Sequence, residues 1–382
     1  MNIAIVHDYL NEYGGAERVL QTLSEMYPEA PIFVAFAVPR SSAQIAFKDK
    51  KIISSWFQNV PFYNKLYSPL RFFIPLIWKS FNFSEYDLII TSASWYITKG
   101  LATGSTKEIC YCHTPPRWLY GYETSVNWRK WWIVRVYALI VGHFLRMYDF
   151  EQAQKVNVFL ANSKNVANRI RKFYRRESIV IYPPVIHPSF LVPPFPGKAG
   201  TFPPNLGGKN KEGFYLMVTR VVGGKGIELA IEAAEKGGFK LMIAGERAGF
   251  RKSQITNHKS QNVEFLGRVS EEKKIELMTN AKAFLALSRD EDFGITPVES
   301  QMCGTPVIAF NGGGYRESVV PDKTGVLFDN YSVDGILGAM DKFDKLKWDK
   351  KVIRKSAEKF SEERFKNKIR EIVDSLQCVP KS

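Results

Sequence analysis

The sequence predicts two doubly wound α/β domains, each built on a parallel β-sheet. The chain has 382 residues, whereas a single hydrophobic core stops growing at about 250 to 300 residues. Short apolar runs alternate with segments of helical periodicity, which is typical of parallel sheets covered by helices on both faces. One segment rich in proline and glycine interrupts this alternation near the middle of the chain. Together these three observations predict the fold class.

The first half of the chain repeats a unit of strand, turn and helix. The apolar run Ile3 to Val6 is followed by a loop ending in Gly14-Gly15, and then by AERVLQTLSEM, whose apolar positions recur at helical spacing. Buried strands are predicted for YDLIITSAS, EICYCH and NVFLANS, and SIVIYPPV closes the series. We therefore expect an N-terminal Rossmann-like domain over residues 1–185.

The second half repeats the pattern after a linker. Residues 186–212 are rich in Pro, Gly and Lys, a composition typical of a linker between domains. A second Rossmann-like domain is predicted over residues 213–354, with strands in FYLMVTR, KLMIAGE, NVEFLG, AFLALS, TPVIAF and TGVLF. Residues 355–382 are predicted to form a helix that packs back across the domain junction. We expect ligands in the cleft where the carboxyl ends of the two sheets face each other.

Composition restricts the partners and the compartment. The formal net charge of +15 favours anionic partners, namely phosphate-rich ligands, anionic membranes or nucleic acid. Four cysteines without framework spacing (Cys110, Cys112, Cys303 and Cys378) indicate a reducing compartment, so cytoplasm is expected. The N-terminus lacks the basic segment of a signal peptide. The apolar stretch Trp131 to Leu145 is interrupted by Arg135 and is shorter than the ~20 residues of a spanning helix, so no transmembrane helix is expected.

Residues 291–317 (EDFGITPVESQMCGTPVIAFNGGGYRE) carry the strongest chemical signal. Glu291 follows a buried strand and Glu299 lies in the first turns of the next helix, so both carboxylates can accept hydrogen bonds from vicinal hydroxyls of a sugar or ribose. The backbone N–H groups near Gly294, Ile295 and Thr296 would meet an anionic phosphate. The alternative, which a lone pair of glutamates favours, is that Glu291 caps the helix and Glu299 lies on a solvated face.

This segment resembles the donor-binding signature of the family 4 glycosyltransferases, which have the GT-B fold of two Rossmann-like domains. The shared features are two glutamates eight positions apart, a Phe-Gly, a Gly-x-Pro-Val turn and a Gly-Gly-x-x-Glu loop. They correspond here to Glu291 and Glu299, Phe293-Gly294, Gly304 to Val307, and Gly313 to Glu317. The resemblance implies that Glu291 holds hydroxyls of the donor sugar and that Glu299 holds the ribose of the nucleotide.

The resemblance also covers a basic loop at the start of the second domain. The family has an Arg and a Lys there, and Arg220 and Lys225 occupy those places in VTRVVGGKG. A departing diphosphate must be neutralised, and these two cations can stand in for a divalent metal. The alternative is that each of the two residues is an ordinary charge on a polar surface loop. The neighbouring Gly223, Gly224 and Gly226 favour the phosphate site, because a glycine-rich turn lets the backbone approach a phosphate closely. We expect no metal and no cofactor beyond the donor substrate.

In the first half the resemblance runs through HDYLNEYGGAERV and ANSKNVANRI. It implies that Gly14 and Gly15 approach the donor diphosphate, and that the domain binds the acceptor. A family histidine in a His-Thr-Pro context lies close to the transferred sugar, and that role is carried to His113. His7 and Asp8, also at a strand end, and Arg117 are candidates for acceptor binding. The ordinary reading of an isolated histidine is a structural hydrogen-bond donor.

A metal site at Cys110, Cys112 and His113 is not expected. Such a site needs three or four converging ligands, and alternate residues of one strand share a face only if His113 points away. We interpret both cysteines as strand residues.

Two stretches, Trp56 to Lys79 and Trp128 to Met147, are rich in aromatic and basic residues and contain no acidic ones. This composition is typical of a segment lying on an anionic bilayer. A core helix with a basic rim is the alternative, and it fits the second stretch equally well. A lipid-linked acceptor would explain both stretches.

The resemblance implies retaining transfer, in which the acceptor hydroxyl attacks from the face that the phosphate leaves and no side chain serves as nucleophile. The His-Asp-Tyr start and the Cys-His-Thr-Pro-x-Arg-aromatic segment resemble mannosyltransferases of surface polysaccharide assembly, which use GDP-mannose. The chain departs from that pattern after Trp118, so a UDP-linked hexose remains an alternative donor. A GT-B sugar-nucleotide epimerase and a basic nucleic-acid-binding protein are the rival functions, although no recognised nucleic-acid motif is present.

Overall fold

A computed structural model describes residues 1–124, 131–186, 213–246 and 260–377. They form two compact units. The first takes its described residues from Met1–Tyr122, Trp128–Pro184 and Glu363–Ser382, and the second from Glu123–Asn127 and Val185–Glu362. The predicted linker, apart from Ile186, lies outside the described residues, as do Trp128 and Cys378.

The first unit is built on a seven-stranded sheet in which every neighbouring pair of strands is parallel. The strand order is β3-β2-β1-β4-β5-β6-β7, so the direction of winding reverses between β1 and β4. The strands are β1 (Ile3–His7), β2 (Ile32–Val34), β3 (Ile52–Ser54), β4 (Leu88–Ala93), β5 (Lys107–Cys112), β6 (Val158–Ala161) and β7 (Ile179–Val180). This is the doubly wound arrangement that the alternating apolar runs predict.

Helices cover both faces of this sheet. They are α1 (Gly15–Met26), α2 (Ser42–Ala46), α3 (Tyr63–Leu66), α4 (Ile74–Lys79), α5 (Trp132–Lys155) and α6 (Lys164–Tyr174), with 3₁₀ turns at Trp56–Asn59 and Arg71–Phe73. Local sequence explains their limits. The Ser163 hydroxyl accepts from the Val166 N–H and so caps α6, whereas α1 begins after Gly14, whose N–H donates to Glu17.

The second unit is built on a six-stranded parallel sheet in the order β10-β9-β8-β11-β12-β13. Here the winding reverses between β8 and β11. The strands are β8 (Tyr215–Val218), β9 (Leu241–Ala244), β10 (Val263–Gly267), β11 (Ala283–Ala286), β12 (Val307–Phe310) and β13 (Gly325–Phe328). The predicted fold class of two doubly wound domains is therefore confirmed.

The helices of the second unit follow its strands. They are α7 (Ile227–Gly237), α8 (Glu271–Asn280), α9 (Ile295–Met302), α10 (Tyr315–Ser318), α11 (Val333–Asp344) and α12 (Lys350–Ala357), with a 3₁₀ turn at Glu358–Phe360. The strands are almost entirely apolar because both faces of the sheet are covered.

The last helix, α13 (Glu362–Gln377), belongs to the first unit by its contacts. Its residues Phe365, Ile369 and Val373 are buried in the core of that unit. The Phe365 ring packs edge-on against Tyr111 of β5 at 5.6 Å between ring centroids. The spacing of four residues between these apolar positions places them on one helix face.

Candidate active site

Most of the residues assigned to donor binding lie at one edge of the second sheet. β8 ends at Val218 and leads into the loop that carries Arg220 and Lys225, while β11 ends at Ala286 and leads to Glu291. These strands flank the point where the winding reverses. Ligands of open parallel sheets bind at such a point, outside the carboxyl ends of the strands.

Lys225 and Glu291 are in direct contact at this edge. The Lys225 Nζ donates to Glu291 Oε2 at 2.8 Å, and the Tyr315 hydroxyl lies 3.5 Å from the same oxygen. The side chains of Lys225 and Glu291 are 28% and 18% exposed, so both charged groups are partly desolvated and still reach solvent. The sequence placed these residues 66 positions apart on two loops, and the fold brings them together.

Glycines of the loop after β12 hold the backbone of Glu291. The Gly314 N–H donates to the Glu291 carbonyl at 2.9 Å. Gly313 has a φ of +53°, and a Cβ atom there would lie 2.2 Å from the same carbonyl oxygen. A side chain at position 313 would therefore displace Glu291.

The first turn of α9 presents backbone N–H groups beside this loop. Gly294 is the N-cap residue and has no side chain to accept from the first turn, which contains Ile295 and Thr296. Both residues are half-buried. A helix N-terminus without a side-chain cap is suited to an anion such as a phosphate.

Glu299, further along α9, is buried and not on a solvated face. Its side chain is 7% exposed, and Oε1 accepts from the Lys274 Nζ of α8 at 3.0 Å. The Lys274 ammonium also lies 2.5 Å from Glu271 Oε2. The alternative prediction of a solvated Glu299 is therefore wrong, because α8 packs against α9 and encloses the carboxylate.

In the first unit, His7 and His113 are linked through one hydroxyl group. Ser92 Oγ lies 3.0 Å from His7 Nδ1 and 2.9 Å from His113 Nε2, and His7 Nε2 lies 3.5 Å from Glu17 Oε1. Burial lowers the pKa of His113 to about 3, and the charge of His7 acts in the same direction. Burial alone would also lower the pKa of His7, but the hydrogen bond and charge of Glu17 outweigh it, so this pKa is raised.

The Asp8 carboxylate is hydrogen-bonded to the loop that follows β4. It accepts from the Ser94 and Trp95 N–H groups at 3.1 and 2.5 Å, and from the Thr98 hydroxyl. Burial raises the pKa of Asp8, although the charge of His7 and these hydrogen bonds oppose the change. The carboxylate therefore anchors a loop at the switch point of the first sheet.

The remaining residues predicted for the first unit lie at the same carboxyl edge. Gly14 and Gly15 are at the start of α1, where the Gly14 N–H donates to Glu17 Oε2 at 2.8 Å and Gly15 is exposed. Arg117 is half-buried, four residues after His113.

The cysteines of the described chain are not exposed. Cys110, Cys112 and Cys303 are all buried, and burial raises the pKa of the Cys110 and Cys303 thiols to about 12. Within the described ranges, no three His, Cys, Asp or Glu side chains converge as metal ligands.

Sequence reasoning missed three residues that hold the predicted ones in place. Ser92 and Glu17 contact His7, and Lys274 contacts Glu299. Glu17 had a local signal, because a glutamate three residues after the N-cap commonly closes a helix start. The contacts of Ser92 and Lys274 depend on strand register and on helix packing, and no local sequence motif indicates either.

Two family models match the chain. The model described as "Glycosyltransferase Family 4" matches residues 13–190, and the model described as "Glycosyl transferases group 1" matches residues 201–366. Each unit of the fold thus has its own match, and together the two models leave only short terminal and central segments unmatched.

Among curated relatives, the chain is 28% identical over 280 residues to the alpha-1,3/1,6-mannosyltransferase ALG2 of Dictyostelium discoideum. It is 25% identical over 190 residues to a protein of Methanocaldococcus jannaschii that is named as an uncharacterized glycosyltransferase. These alignments cover 65% and 49% of this chain, and 64% and 49% of the two relatives. The alignments thus span less than two thirds of the length of each of these relatives.

Among solved structures, HepE of Anabaena in complex with UDP and glucose superposes with a TM-score of 0.68 at 17% identity, covering 98% of this chain and all of that chain. At this identity the likeness shows the fold alone, which is GT-B. The two consecutive family models, the two parallel-sheet units and this likeness agree, and the chain belongs to the family 4 glycosyltransferases of the GT-B fold.

Proposed function

We propose that the protein is a retaining glycosyltransferase that moves a hexose from a nucleotide-diphosphate sugar to a glycan or lipid-linked acceptor. The observation that carries this proposal is the contact between Lys225 and Glu291 at the switch point of the second sheet. A cation for the diphosphate and a carboxylate for the sugar hydroxyls stand side by side there, next to the uncapped first turn of α9.

The proposed chemistry needs no protein nucleophile. The acceptor hydroxyl oxygen bonds to the anomeric carbon on the face from which the diphosphate leaves. The bond between that carbon and the phosphate oxygen breaks, its electron pair stays on the diphosphate, and the hydroxyl proton passes to the leaving oxygen. Lys225 and the exposed Arg220 neutralise the charge that develops, so no metal is required. Glu291 orients the sugar, and Glu299, held by Lys274, accepts from the ribose.

In the first unit we assign His113 to the transferred sugar and Arg117 to the acceptor. We assign a positioning role to His7 and Asp8 and no contact with the acceptor, because their side chains are only 2% and 3% exposed and are hydrogen-bonded within the unit. Gly15 and its neighbours in the first turn of α1 complete the contacts to the donor diphosphate.

GDP-mannose is the donor we favour. The support is the likeness to relatives named as alpha-1,3/1,6-mannosyltransferases and the HDY and CHTPPRW segments. A UDP-hexose is the alternative, since a structural neighbour is described in complex with UDP and glucose.

Transfer assays on the purified full chain test this function. With GDP-mannose and a lipid-linked acceptor in the presence of EDTA, we expect a product whose new bond has the anomeric configuration of the donor, as proton NMR can establish. An inverted product would contradict the retaining mechanism. Loss of all activity with EDTA, restored by Mg²⁺, would contradict metal independence.

We further propose that the first unit docks on the cytoplasmic face of an anionic membrane through an aromatic surface. This surface consists of exposed apolar side chains from residues 131–144, at the start of α5, and from residues 56–79: Trp131, Trp132, Ile133, Leu139, Ile140, Phe144, Phe62, Phe72 and Leu76. Trp131 and Phe62 are both 71% exposed. The two parts are joined, because the Tyr137 hydroxyl of α5 donates to the Pro69 carbonyl.

The position of charges supports a bilayer as the partner. Lys65, Lys79 and Arg135 are exposed within the same stretches, which contain no acidic residue. Exposed aromatic side chains beside basic ones suit the boundary between headgroups and acyl chains. In the part of the chain that the structure covers, no helix is long and apolar enough to span a bilayer.

Removing apolar side chains from this surface should release the protein from vesicles. We expect the triple variant Trp132→Ser, Leu139→Ser and Phe144→Ser to lose at least about tenfold in partitioning to vesicles with anionic lipid, since each buried side chain contributes about 1.5 kcal/mol or more. Co-sedimentation measures this. Ile45→Ser is the matched control, because Ile45 is 57% exposed in the same unit but outside the aromatic surface. Equal loss in both variants, or wild-type partitioning of the triple variant, would refute the docking surface.

A further inference from the structure

Three strands of the first sheet bring two histidines and one serine into line. His7 ends β1 and is the register partner of Ser92 on β4. His113 follows β5, and its N–H donates to the Ala93 carbonyl of β4 at 2.9 Å. The ring nitrogens of both histidines therefore lie within 3.0 Å of the same Ser92 Oγ. We call these three residues the His7–Ser92–His113 relay.

The single proton of the Ser92 hydroxyl couples the two rings. Ser92 is fully buried, and in the described part of the chain its hydroxyl forms hydrogen bonds only with these two ring nitrogens. When the hydroxyl donates to one ring, it accepts from the other. The protonation of His7 Nδ1 therefore determines whether His113 Nε2 accepts a proton from Ser92 or donates one to it.

We propose that protonation of His7 reverses the hydrogen bonds of this relay and thereby switches His113 between its two neutral tautomers. With His7 protonated, Nδ1–H donates to Ser92, Ser92 donates to His113 Nε2, and the proton of His113 resides on Nδ1. With His7 neutral, its remaining proton stays on Nε2 facing the Glu17 carboxylate, Ser92 donates to His7 Nδ1, and His113 carries its proton on Nε2.

The charged and titratable groups around His7 define the direction of the switch. Glu17 on α1 faces Nε2 at 3.5 Å, Asp8 follows on the same strand, and His113 stands beyond Ser92. Burial disfavours the charged imidazole, but Glu17 and Asp8 favour it, and the pKa of His7 is raised above the ordinary 6.5. The pKa of His113 is lowered to about 3, so His113 itself stays neutral. His113 thus carries its proton on Nδ1 below the raised pKa of His7 and on Nε2 above it.

The switch changes the hydrogen-bonding role of His113 Nδ1, the ring nitrogen that does not face Ser92. No described residue forms a hydrogen bond with this atom. Nδ1 is a donor when His7 is charged and an acceptor when His7 is neutral. It would therefore donate to the oxygen of a sugar hydroxyl in the first state and accept the proton of that hydroxyl in the second. This functional consequence rests on the proposed role of His113 at the transferred sugar, whereas the relay itself does not. Ser92 and Glu17 are positioning residues that act through His113.

NMR of the full chain labelled with ¹⁵N-histidine tests the relay without any substrate. The chain has five histidines. Single Asn replacements of His143, His187 and His258 identify three of the signals, and His7→Asn distinguishes His7 from His113. Between about pH 5 and 9, we expect His113 to exchange its ring proton from Nδ1 to Nε2 at the same midpoint as the titration of His7. A single His113 tautomer throughout the titration of His7, or protonation of His113 in this range, would overturn the proposal.

Variants separate coupling from a merely structural role. Ser92→Ala should leave the titration of His7 visible while the tautomer of His113 no longer follows it, and Ser92→Thr, which keeps the hydroxyl, should restore the coupling. Glu17→Gln should move both midpoints to lower pH together, because it removes the carboxylate that favours charged His7. Unchanged coupling in Ser92→Ala would refute the relay. A confirmed tautomer exchange with no effect on the pH profile of transfer would support the relay and contradict the assignment of His113 to the sugar.

Discussion

Replacing Lys225 with Ala should reduce kcat for sugar transfer by about 100- to 1000-fold, because one preorganised donor to developing charge contributes that much. The Lys225 side chain is only 28% exposed and its Nζ lies 2.8 Å from Glu291 Oε2, so a water molecule would be a poor replacement for the ammonium. Glu291→Gln should give a loss of similar size, since the amide keeps the shape of the side chain but donates where the sugar hydroxyls donate. Steady-state kinetics with the identified donor measure both effects.

The Lys236 and Asp334 pair provides the matched control. It lies in the same unit with 2.6 Å between Nζ and Oδ1, but its side chains are 59% and 75% exposed. Lys236→Ala removes the same charge from a solvated pair and should leave kcat within twofold. Turnover of Lys225→Ala close to that of Lys236→Ala would contradict the assignment of the donor site.

Replacing Asp149 with Ala should destabilise the first unit by about 3 to 5 kcal/mol. Asp149 of α5 is fully buried and accepts from Lys99, which is 2% exposed, and from the Tyr120 hydroxyl at 2.7 Å. The Lys99 Nζ also lies 4.7 Å from the centre of the Tyr174 ring. Removing the carboxylate leaves a buried ammonium without its counter-ion, and thermal unfolding should shift downwards by roughly 10 °C.

Two further variants identify the cause of this loss. Glu276→Ala breaks an exposed pair with Lys273 and should change stability by less than about 0.5 kcal/mol. Lys99→Met combined with Asp149→Leu removes both charges and should recover part of the loss, because the cost comes from an uncompensated charge. If the free energy of unfolding of Asp149→Ala lies within about 1 kcal/mol of the wild-type value, loss of the counter-ion does not destabilise the unit as predicted.

The fold class could be predicted from the sequence because parallel strands that are covered on both faces appear in it as continuous apolar runs. Strands such as β8 and β11 consist almost entirely of buried apolar residues, and these segments are distinct from the helical periods between them. β2 and β3, which have three residues each, were not predicted from the sequence.

The candidate site could be predicted only where a local motif carries it. Glu291, Gly294 and Gly313 belong to one continuous segment, and the positive φ angles of Gly294 and Gly313 explain why glycine occurs at those two positions. The Lys274 and Glu299 pair depends on how α8 packs against α9, and the His7–Ser92–His113 relay depends on the register of β1 with β4. Neither packing nor register follows from a single sequence without its homologues.

Titration calorimetry of the purified protein in EDTA tests the central claim most directly. GDP, UDP, GDP-mannose and UDP-glucose would each be titrated into the wild type and into Lys225→Ala. We predict saturable binding of the ligands of one base by the wild type, and binding by Lys225→Ala that is weaker by at least about tenfold, as expected when a charged partner of a phosphate is lost. Absence of binding to all four ligands, or equal affinity in the wild type and Lys225→Ala, would contradict a donor site built on Lys225 and Glu291.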